Sequence, residues 1–195
     1  SFPKGRFTDL PTFYKPLYNL HVMENAVIGS NIGRVSATDP DLGDNGVIRF
    51  EISDGNEGNA FRIDQVTGYI YTREKLDRER MHVYYLNVTA NDFGSIQKFS
   101  SSIVKIVVTD VNDNKPDFEK PFYTFNIFED SKVGIAIGSV KALDSDEGIN
   151  AQVSYYIIGE DRSTFSVGPS TGNLKLLRLV DHEKVPHYVL TLVAV

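Results

Sequence analysis

Acidic and amide side chains are concentrated in one stretch past the middle of the chain, DVNDNKPDF, which occupies residues 110–118. Apolar runs lie on both sides of it, as expected for a connection between two folded segments. Flexible linkers are usually rich in Gly and Ser rather than in charge. We therefore expect this stretch to hold a positively charged ligand through its oxygen-bearing side chains, which are Asp110, Asn112, Asp113, Asn114 and Asp117.

Paired carboxylates two residues apart recur elsewhere. An Asp-x-Asp pair occurs at Asp39/Asp41 and at Asp144/Asp146, and an Asp-x-Glu pair follows Leu or Val at Asp77/Glu79 and at Asp181/Glu183. The two Asp-x-Asp pairs resemble the start of an EF-hand loop, whose twelfth position must be a bidentate Glu. That position is Phe50 when counted from Asp39 and Tyr155 when counted from Asp144. An EF-hand is therefore excluded, and a single such pair is typical of a solvated turn.

Composition limits the classes of function. The 195 residues are 41% hydrophobic and 11% aromatic, which is enough for packed cores. The net charge of −6 argues against nucleic acid as a partner. There is no cysteine, so disulfides and Cys-based zinc sites are excluded. No nucleophile elbow, P-loop or other catalytic motif occurs, so we expect neither an enzyme nor a small-molecule substrate. We expect any membrane span of the parent protein to lie outside this sequence.

The elements that position these acids form an internal repeat. PTFYKPLYNLHVMEN, from Pro11, aligns without a gap with PDFEKPFYTFNIFED, from Pro116, at an offset of 105 residues. The same offset pairs ATDPDLGDNG with ALDSDEGINA. One residue is then deleted, and LDRE aligns with VDHE and YYLNVTA with YVLTLVA. The chain is thus predicted to contain two tandem copies of one domain, and the acidic linker joins them.

Each copy is predicted to be all-β. In VYYLNVTA, the residues Tyr84, Leu86, Val88 and Ala90 fall on one face, which is the alternation of a half-buried strand. Similar short runs recur between turn-forming clusters, and this pattern predicts a seven-strand β-sandwich with antiparallel sheets. VTGYI predicts a hairpin in which Gly68 takes a positive φ.

The repeat is expected to bring seven carboxylates near the linker. At about 5 Å and an effective dielectric of about 20, each like-charged pair costs roughly 3 kcal/mol, so such a group requires cations. Asp, Glu and Asn without His or Cys favour calcium over magnesium or zinc. The seven acids are Glu24, Asp77, Glu79, Asp110, Asp113, Asp144 and Asp146.

These motifs together resemble the cadherin repeat. The resemblance runs from about Pro11 to Val195 and rests on MEN, DPDLGDNG, LDRE, YLNVTANDFG and DVNDNKPDF, with FED, DSDEGINA and VDHE in the second copy. It implies up to three calcium ions at the linker. The implied ligands are Glu24, Asp77, Glu79, Asp110, Val111 (carbonyl), Asn112, Asp113, Asn114 (carbonyl), Asp144, Asp146 and Asn150 (carbonyl). Asp117 corresponds to Thr12 and is expected to be merely exposed.

The resemblance implies a domain organisation with two departures from the family pattern. Residues 1–10 are an N-terminal segment or degenerate linker, 11–109 a repeat, 110–115 the calcium-binding linker, and 116–195 a repeat that is incomplete at its C-terminus. The family's third site also takes an Asp corresponding to Asp92, which the second copy lacks. At the start, GRFTD stands where DVNDN is expected, so partial or no calcium is predicted there. Further possible calcium ligands are Asp39, Asp41, Asn45, Asp92, Glu129, Asp181 and Glu183.

The function that the resemblance implies is calcium-dependent cell-cell adhesion or recognition. The partner would be another cadherin ectodomain, homophilic or heterophilic, on the extracellular side of the plasma membrane of a single-pass parent protein. No Trp is present, so docking by an N-terminal Trp is excluded. The alternatives are a structural spacer and an accessory or glycan-binding module of an extracellular protein. The sequon NVT makes Asn87 a candidate glycosylation site.

Overall fold

The computed structural model describes residues 9–195 of the chain. Gly5–Thr8 of the predicted degenerate linker lie outside the described residues. The chain divides into two compact units, Ser1–Val111 (unit 1) and Asn112–Val195 (unit 2). Among the described residues the only helical elements are short 3-10 turns, so the predicted all-β fold is confirmed. No helix in this part of the chain has the length and apolar character needed to cross a membrane.

The described residues of unit 1 form nine strands and two 3-10 turns. The strands are β1 (Thr12–Phe13), β2 (Leu17–Met23), β3 (Asn31–Arg34), β4 (Ala37–Thr38), β5 (Arg49–Asp54), β6 (Phe61–Ile63), β7 (Tyr69–Thr72), β8 (Val83–Asn91) and β9 (Phe99–Thr109), and the turns span Gly43–Gly46 and Glu57–Asn59. The main sheets have the orders β2-β9-β8-β5 and β3-β7-β6, and β1 and β4 form a small ladder. These four-stranded and three-stranded sheets supply the seven main strands of a sandwich.

The core of unit 1 lies between the two sheets. In β8 the burial alternates as predicted, with Tyr84, Leu86, Val88 and Ala90 all buried. These side chains pack with Val104 and Ile106 of β9 in one hydrophobic cluster. The predicted hairpin is also present, since β6 pairs with β7 and Gly68 has φ of 73°.

One pairing differs from the antiparallel prediction. Strands β2 and β9 run parallel, from Leu17 opposite Ile103 to Met23 opposite Thr109. Between β2 and β9 the chain forms all of the strands β3 to β8. A connection of this length permits two strands to pair in parallel. Alternation within a single strand does not show which distant segment will be its neighbour, so the sequence pattern could not reveal this ladder.

Unit 2 contains seven strands and one 3-10 turn. The strands are β10 (Asp117–Phe118), β11 (Ala136–Ser139), β12 (Ala142–Leu143), β13 (Tyr155–Ile158), β14 (Phe165–Val167), β15 (Asn173–Leu176) and β16 (Thr191–Ala194), and the turn spans Glu160–Ser163. Its sheets have the orders β11-β15-β14, β13-β16 and β10-β12. Val140, Ala142, Tyr155 and Leu174 form its buried cluster.

The small ladders repeat between the units. Asp117 pairs with Leu143 as Thr12 pairs with Thr38, in keeping with the 105-residue offset. Asp117 is exposed, as expected. Residues 122–128, which correspond to β2, belong to no strand, and Phe122 and Phe128 within them are about four-fifths exposed, at 77% and 81%.

Candidate metal centre

Three carboxylates meet at the end of unit 1 where β2 and β9 finish. One oxygen from each of Glu24, Asp77 and Glu79 lies within 4.8 Å of the others. Glu24 directly follows β2, and its backbone N–H donates to the Thr109 carbonyl at 3.1 Å. Asp77 and Glu79 follow Leu76, a buried residue of the core that fixes the start of their loop. The structure thus brings together three of the predicted calcium ligands.

Glu24 is the most buried member of this group, with 3% of its surface exposed. Its Oε1 accepts the Val111 N–H at 2.8 Å, and its Oε2 accepts the Arg78 N–H at 2.9 Å. This residue therefore connects the loop that carries Asp77 and Glu79 with the start of the linker.

Asp110 directly follows β9 and lies against the same loop. Its Oδ1 accepts a hydrogen bond from Arg78 Nε at 2.6 Å. A second contact runs from Arg78 Nη2 to Glu79 Oε1, also at 2.6 Å. The LDRE motif shows that a basic residue stands between the two acids, but the sequence reasoning did not foresee that its side chain would bind them.

The linker residues of unit 2 meet its Asp-x-Asp loop. Asp146, which is 7% exposed, accepts Asn114 Nδ2 at 2.7 Å through Oδ1. The Asp146 N–H in turn donates to Asp144 Oδ1 at 2.9 Å. Asn114 Nδ2 also reaches Asp113 Oδ1 at 2.9 Å. Four predicted ligands of unit 2 are therefore connected by hydrogen bonds.

The two remaining predicted ligands of unit 2 are Asn112 and Asn150. Asn112 is exposed at the beginning of the unit. Asn150 lies in a turn after the Asp-x-Asp loop, where its N–H donates to the Glu147 carbonyl at 3.1 Å. Both residues were predicted from the resemblance, and their role as ligands stays a prediction.

Unit 2 contains a second group of three carboxylates, at the positions that correspond to the group in unit 1. One oxygen from each of Glu129, Asp181 and Glu183 lies within 4.8 Å of the others. The His182 N–H donates to Glu129 Oε2 at 3.3 Å, in the place of the Arg78 contact to Glu24. Lys184 Nζ lies 2.7 Å from Asp181 Oδ2. This hydrogen bond holds the pKa of Asp181 below its ordinary value.

The Asp-x-Asp loop of unit 1, which carries Asp39 and Asp41, lies beside the loop that follows β8. The Phe93 N–H donates to the Asp44 carbonyl at 3.1 Å. Asp92 is fully buried, and its Oδ1 accepts the N–H groups of Gly94 at 3.2 Å and Lys98 at 2.9 Å. Two buried oxygens in this region, Asp39 Oδ2 and Asp92 Oδ2, have no hydrogen-bond partner among the described residues.

Two neighbouring residues complete this region. The Asp41 N–H donates to Asp39 Oδ1 at 2.9 Å, and Asp41 Oδ2 accepts the Asp9 N–H at 2.8 Å. Asn45 lies in the 3-10 turn Gly43–Gly46, and a Cβ added at Gly94 would be only 2.6 Å from its Oδ1. The four acids and amides predicted as further ligands in unit 1 thus lie on two loops in contact.

The candidate glycosylation site is half-buried on a central strand. Asn87 lies in β8 opposite Ile103 of β9 and Asp54 of β5, and its side chain faces away from the buried face of that strand. Glycosylation at this residue stays a prediction.

Comparison with known proteins identifies the family. The cadherin-domain family model matches residues 18–109 and 123–195. Protocadherin Fat 4 of Mus musculus is 40% identical over 185 residues, which is 94% of this chain and 4% of that protein. The Fat-like cadherin-related tumor suppressor homolog of Drosophila melanogaster is 37% identical over 190 residues, 97% of this chain and 4% of that protein.

A solved structure shows the same architecture. Repeats EC22–24 of mouse cadherin-23 superpose with a TM-score of 0.82 at 33% identity, over 95% of this chain and 59% of that one. The chain spans only about 4% of the length of the two curated relatives described above. The prediction of two tandem β-sandwich repeats is confirmed by these matches, and the chain belongs to the cadherin family.

Proposed function

We propose that this chain binds calcium through the acidic groups of its two units. The observation that carries the proposal is the group formed by Glu24, Asp77 and Glu79, three carboxylates whose oxygens lie within 4.8 Å of one another. At such distances the like charges repel by several kcal/mol at low effective dielectric, and a hard cation relieves that cost. An all-oxygen donor set of this kind suits calcium.

The unit 2 residues supply the second part of the proposed ligand set. Asp144, Asp146, Asp113 and Asn114 are already connected through hydrogen bonds, so the fold holds these predicted ligands close together. Seven carboxylates across both sets would carry −7 against +6 from three ions. Near-neutrality of this kind is what a buried ionic group requires. We propose that the ions are shared by the two sets, as the family resemblance implies, and thereby restrict interdomain motion.

A cation also fits the Asp39 and Asp92 region of unit 1. A buried carboxylate oxygen without a donor is costly, and a cation is one of the few groups that could satisfy such an oxygen at Asp39 or at Asp92. The sequence predicted partial or no calcium here because the upstream linker is degenerate. We propose that at least one cation nonetheless binds, since the Asp92 carboxylate is fully buried.

Membership of the cadherin family supports a role in adhesion or recognition. The family's proteins are adhesion proteins rather than enzymes, and the relatives reported above are protocadherins and cadherins. We propose that the chain is part of an ectodomain on the extracellular side of the plasma membrane, in a single-pass parent protein. Its partner would be another cadherin ectodomain, and calcium would act by holding the repeats in one binding-competent arrangement.

An open aromatic platform would favour the glycan-binding alternative, but the outer face of β3-β7-β6 does not provide one. A guanidinium lies over each of its two tyrosine rings. The Arg34 Cζ is 5.3 Å from the centre of the Tyr69 ring, and the Arg62 Cζ is 4.2 Å from the centre of the Tyr71 ring. Cation–π contacts of this kind occupy the ring faces that a sugar would use. This sheet face therefore gives the glycan-binding alternative no support.

Bead aggregation tests the adhesive function. Beads coated with the 195-residue chain should aggregate in calcium and disperse in chelator, if these two repeats carry a homophilic surface. Beads coated with Asp113→Ala should aggregate less, while Asp117→Ala, an exposed acid of the same stretch, should match the wild type. Absence of aggregation in calcium would contradict homophilic adhesion by these repeats and would favour the spacer function.

A further inference from the structure

One basic side chain lies inside the acidic group of unit 1. Arg78 donates from Nε to Asp110 Oδ1 and from Nη2 to Glu79 Oε1, both at 2.6 Å. The Arg78 side chain is 13% exposed and that of Asp110 is 11% exposed. These contacts are thus largely shielded from water, where charge-assisted hydrogen bonds are strong.

The backbone of Arg78 also contacts this acidic group. Its N–H donates to Glu24 Oε2 at 2.9 Å, so the residue contacts three of the predicted ligands at once. Leu76, two residues earlier, is buried in the core and anchors this loop. The position of the guanidinium is therefore set by the fold rather than by a mobile surface chain.

We propose that Arg78 is the resident counter-ion of this acidic group and sets its calcium affinity. Without calcium, the guanidinium holds Glu79 and Asp110 in place and offsets their repulsion. Calcium needs oxygens from the same two side chains and is itself repelled by the guanidinium, so binding requires the two Arg78 contacts to be given up. The role of Arg78 rests on the calcium function proposed above.

Two opposite effects follow from this competition. Replacing Arg78 with a neutral residue should destabilise the calcium-free protein, because the carboxylates lose their counter-ion. The same replacement should tighten calcium binding, because nothing has to be displaced. A residue that only supported the loop would produce the first effect without the second.

Arg80 provides a matched control in the same loop. It is exposed, and the described residues give its guanidinium no ion pair. Arg80→Gln makes the same change in net charge two residues from Arg78→Gln. Any long-range effect of charge on calcium binding is therefore measured by the control.

The test uses the full 195-residue chain stripped of metal. Calorimetric titration with calcium chloride and thermal melting in chelator are compared for the wild type, Arg78→Gln, Arg78→Lys and Arg80→Gln. We expect Arg78→Gln to bind calcium roughly tenfold more tightly and to melt about 5 °C lower in chelator. Arg78→Lys should stay within about threefold of the wild-type affinity, since it keeps the competing charge. Arg80→Gln should resemble the wild type in both measurements.

The possible failures are separable. Unchanged or weaker calcium binding by Arg78→Gln, with normal binding by the wild type, would overturn the role of Arg78 alone. An equal gain in affinity for Arg80→Gln would overturn it as well, because general charge would then explain the effect. A wild-type chain that takes up no calcium would overturn the proposed function itself.

Discussion

The buried Glu24 carboxylate accepts the backbone N–H of Val111 at 2.8 Å, across 87 residues of sequence. Glu24 stands at the end of the first strand of its sheet, and Val111 stands where the last strand of unit 1 gives way to the linker. The same carboxylate accepts the Arg78 N–H. One side chain therefore fixes the ends of the three segments that carry the acidic group of unit 1.

Glu24→Ala should destabilise the chain even without calcium. Two part-buried N–H groups would lose their acceptor. Leaving a buried N–H unsatisfied costs about 1–3 kcal/mol, so we expect each of these groups to contribute toward the lower end of that range. Glu129→Ala is the matched control, because Glu129 holds the equivalent position in unit 2 but is exposed. Urea unfolding in chelator should show the larger loss for Glu24→Ala, and equal losses for the two variants would refute this structural role.

Gly68→Ala should cost more than Gly58→Ala. Both glycines have positive φ, 73° and 65°, so each alanine is strained by about 1–2 kcal/mol. A Cβ at Gly68 would also lie 2.4 Å from the Val35 carbonyl oxygen, whereas one at Gly58 meets nothing within 4 Å. Chemical denaturation should therefore give a clearly larger loss at position 68. A loss no greater than that of the control would show that this hairpin adapts freely.

Asp64 should contribute to the acid sensitivity of unit 1. The Thr67 backbone N–H, the Thr67 hydroxyl and the Val66 N–H hold the pKa of Asp64 below its ordinary value of 3.8. A lowered pKa gives stability that is present above the unfolded value and is lost as pH falls through the folded value. Melting profiles of wild type and Asp64→Asn should therefore converge below about pH 4.

The control for this pH effect is Asp117→Asn. Asp117 is exposed, and no described residue donates a hydrogen bond to its carboxylate. Its melting profile should run parallel to that of the wild type across the acid range. A constant difference between wild type and Asp64→Asn from pH 6 to pH 2 would contradict the assignment.

Asp92→Asn should distinguish the energetic cost of burying the Asp92 charge from the proposed role of that charge in binding a cation. The asparagine keeps an oxygen that can accept the Gly94 and Lys98 N–H groups. It removes the negative charge of a carboxylate whose Oδ2 has no hydrogen-bond partner among the described residues. In chelator the variant should melt no lower than the wild type. In calcium its gain in melting temperature should be smaller, because a proposed ligand is lost. A full calcium gain in Asp92→Asn would argue against a cation at this end of unit 1.

Local features of the fold could be predicted from sequence because their causes are local. The alternation of Tyr84, Leu86 and Val88 fixes which face of β8 is buried, and the positive φ of Gly68 follows from the demands of its turn. The parallel pairing of β2 with β9 could not be predicted, because partner and direction depend on segments about 80 residues apart.

The candidate metal centre likewise has features that the sequence predicted and features that depend on packing. The repeat offset indicated which acids belong together, and the structure places Glu24, Asp77 and Glu79 side by side. The sequence did not reveal that Arg78 contacts Asp110, because the direction of a long side chain depends on the packing of its loop. Nor did it show that one oxygen of the buried Asp92 carboxylate has no hydrogen-bond partner among the described residues, because that depends on how the surrounding loops pack.

Calcium-dependent thermal stabilisation of the 195-residue chain tests the central claim most directly. The wild type should melt at a higher temperature in millimolar calcium than in chelator, because an ion that binds only the folded state stabilises it. The double variant Asp113→Ala/Asp146→Ala should lose most of this gain, while Asp117→Ala should keep it. A wild type with no calcium-dependent gain, or a double variant with an undiminished one, would contradict the account.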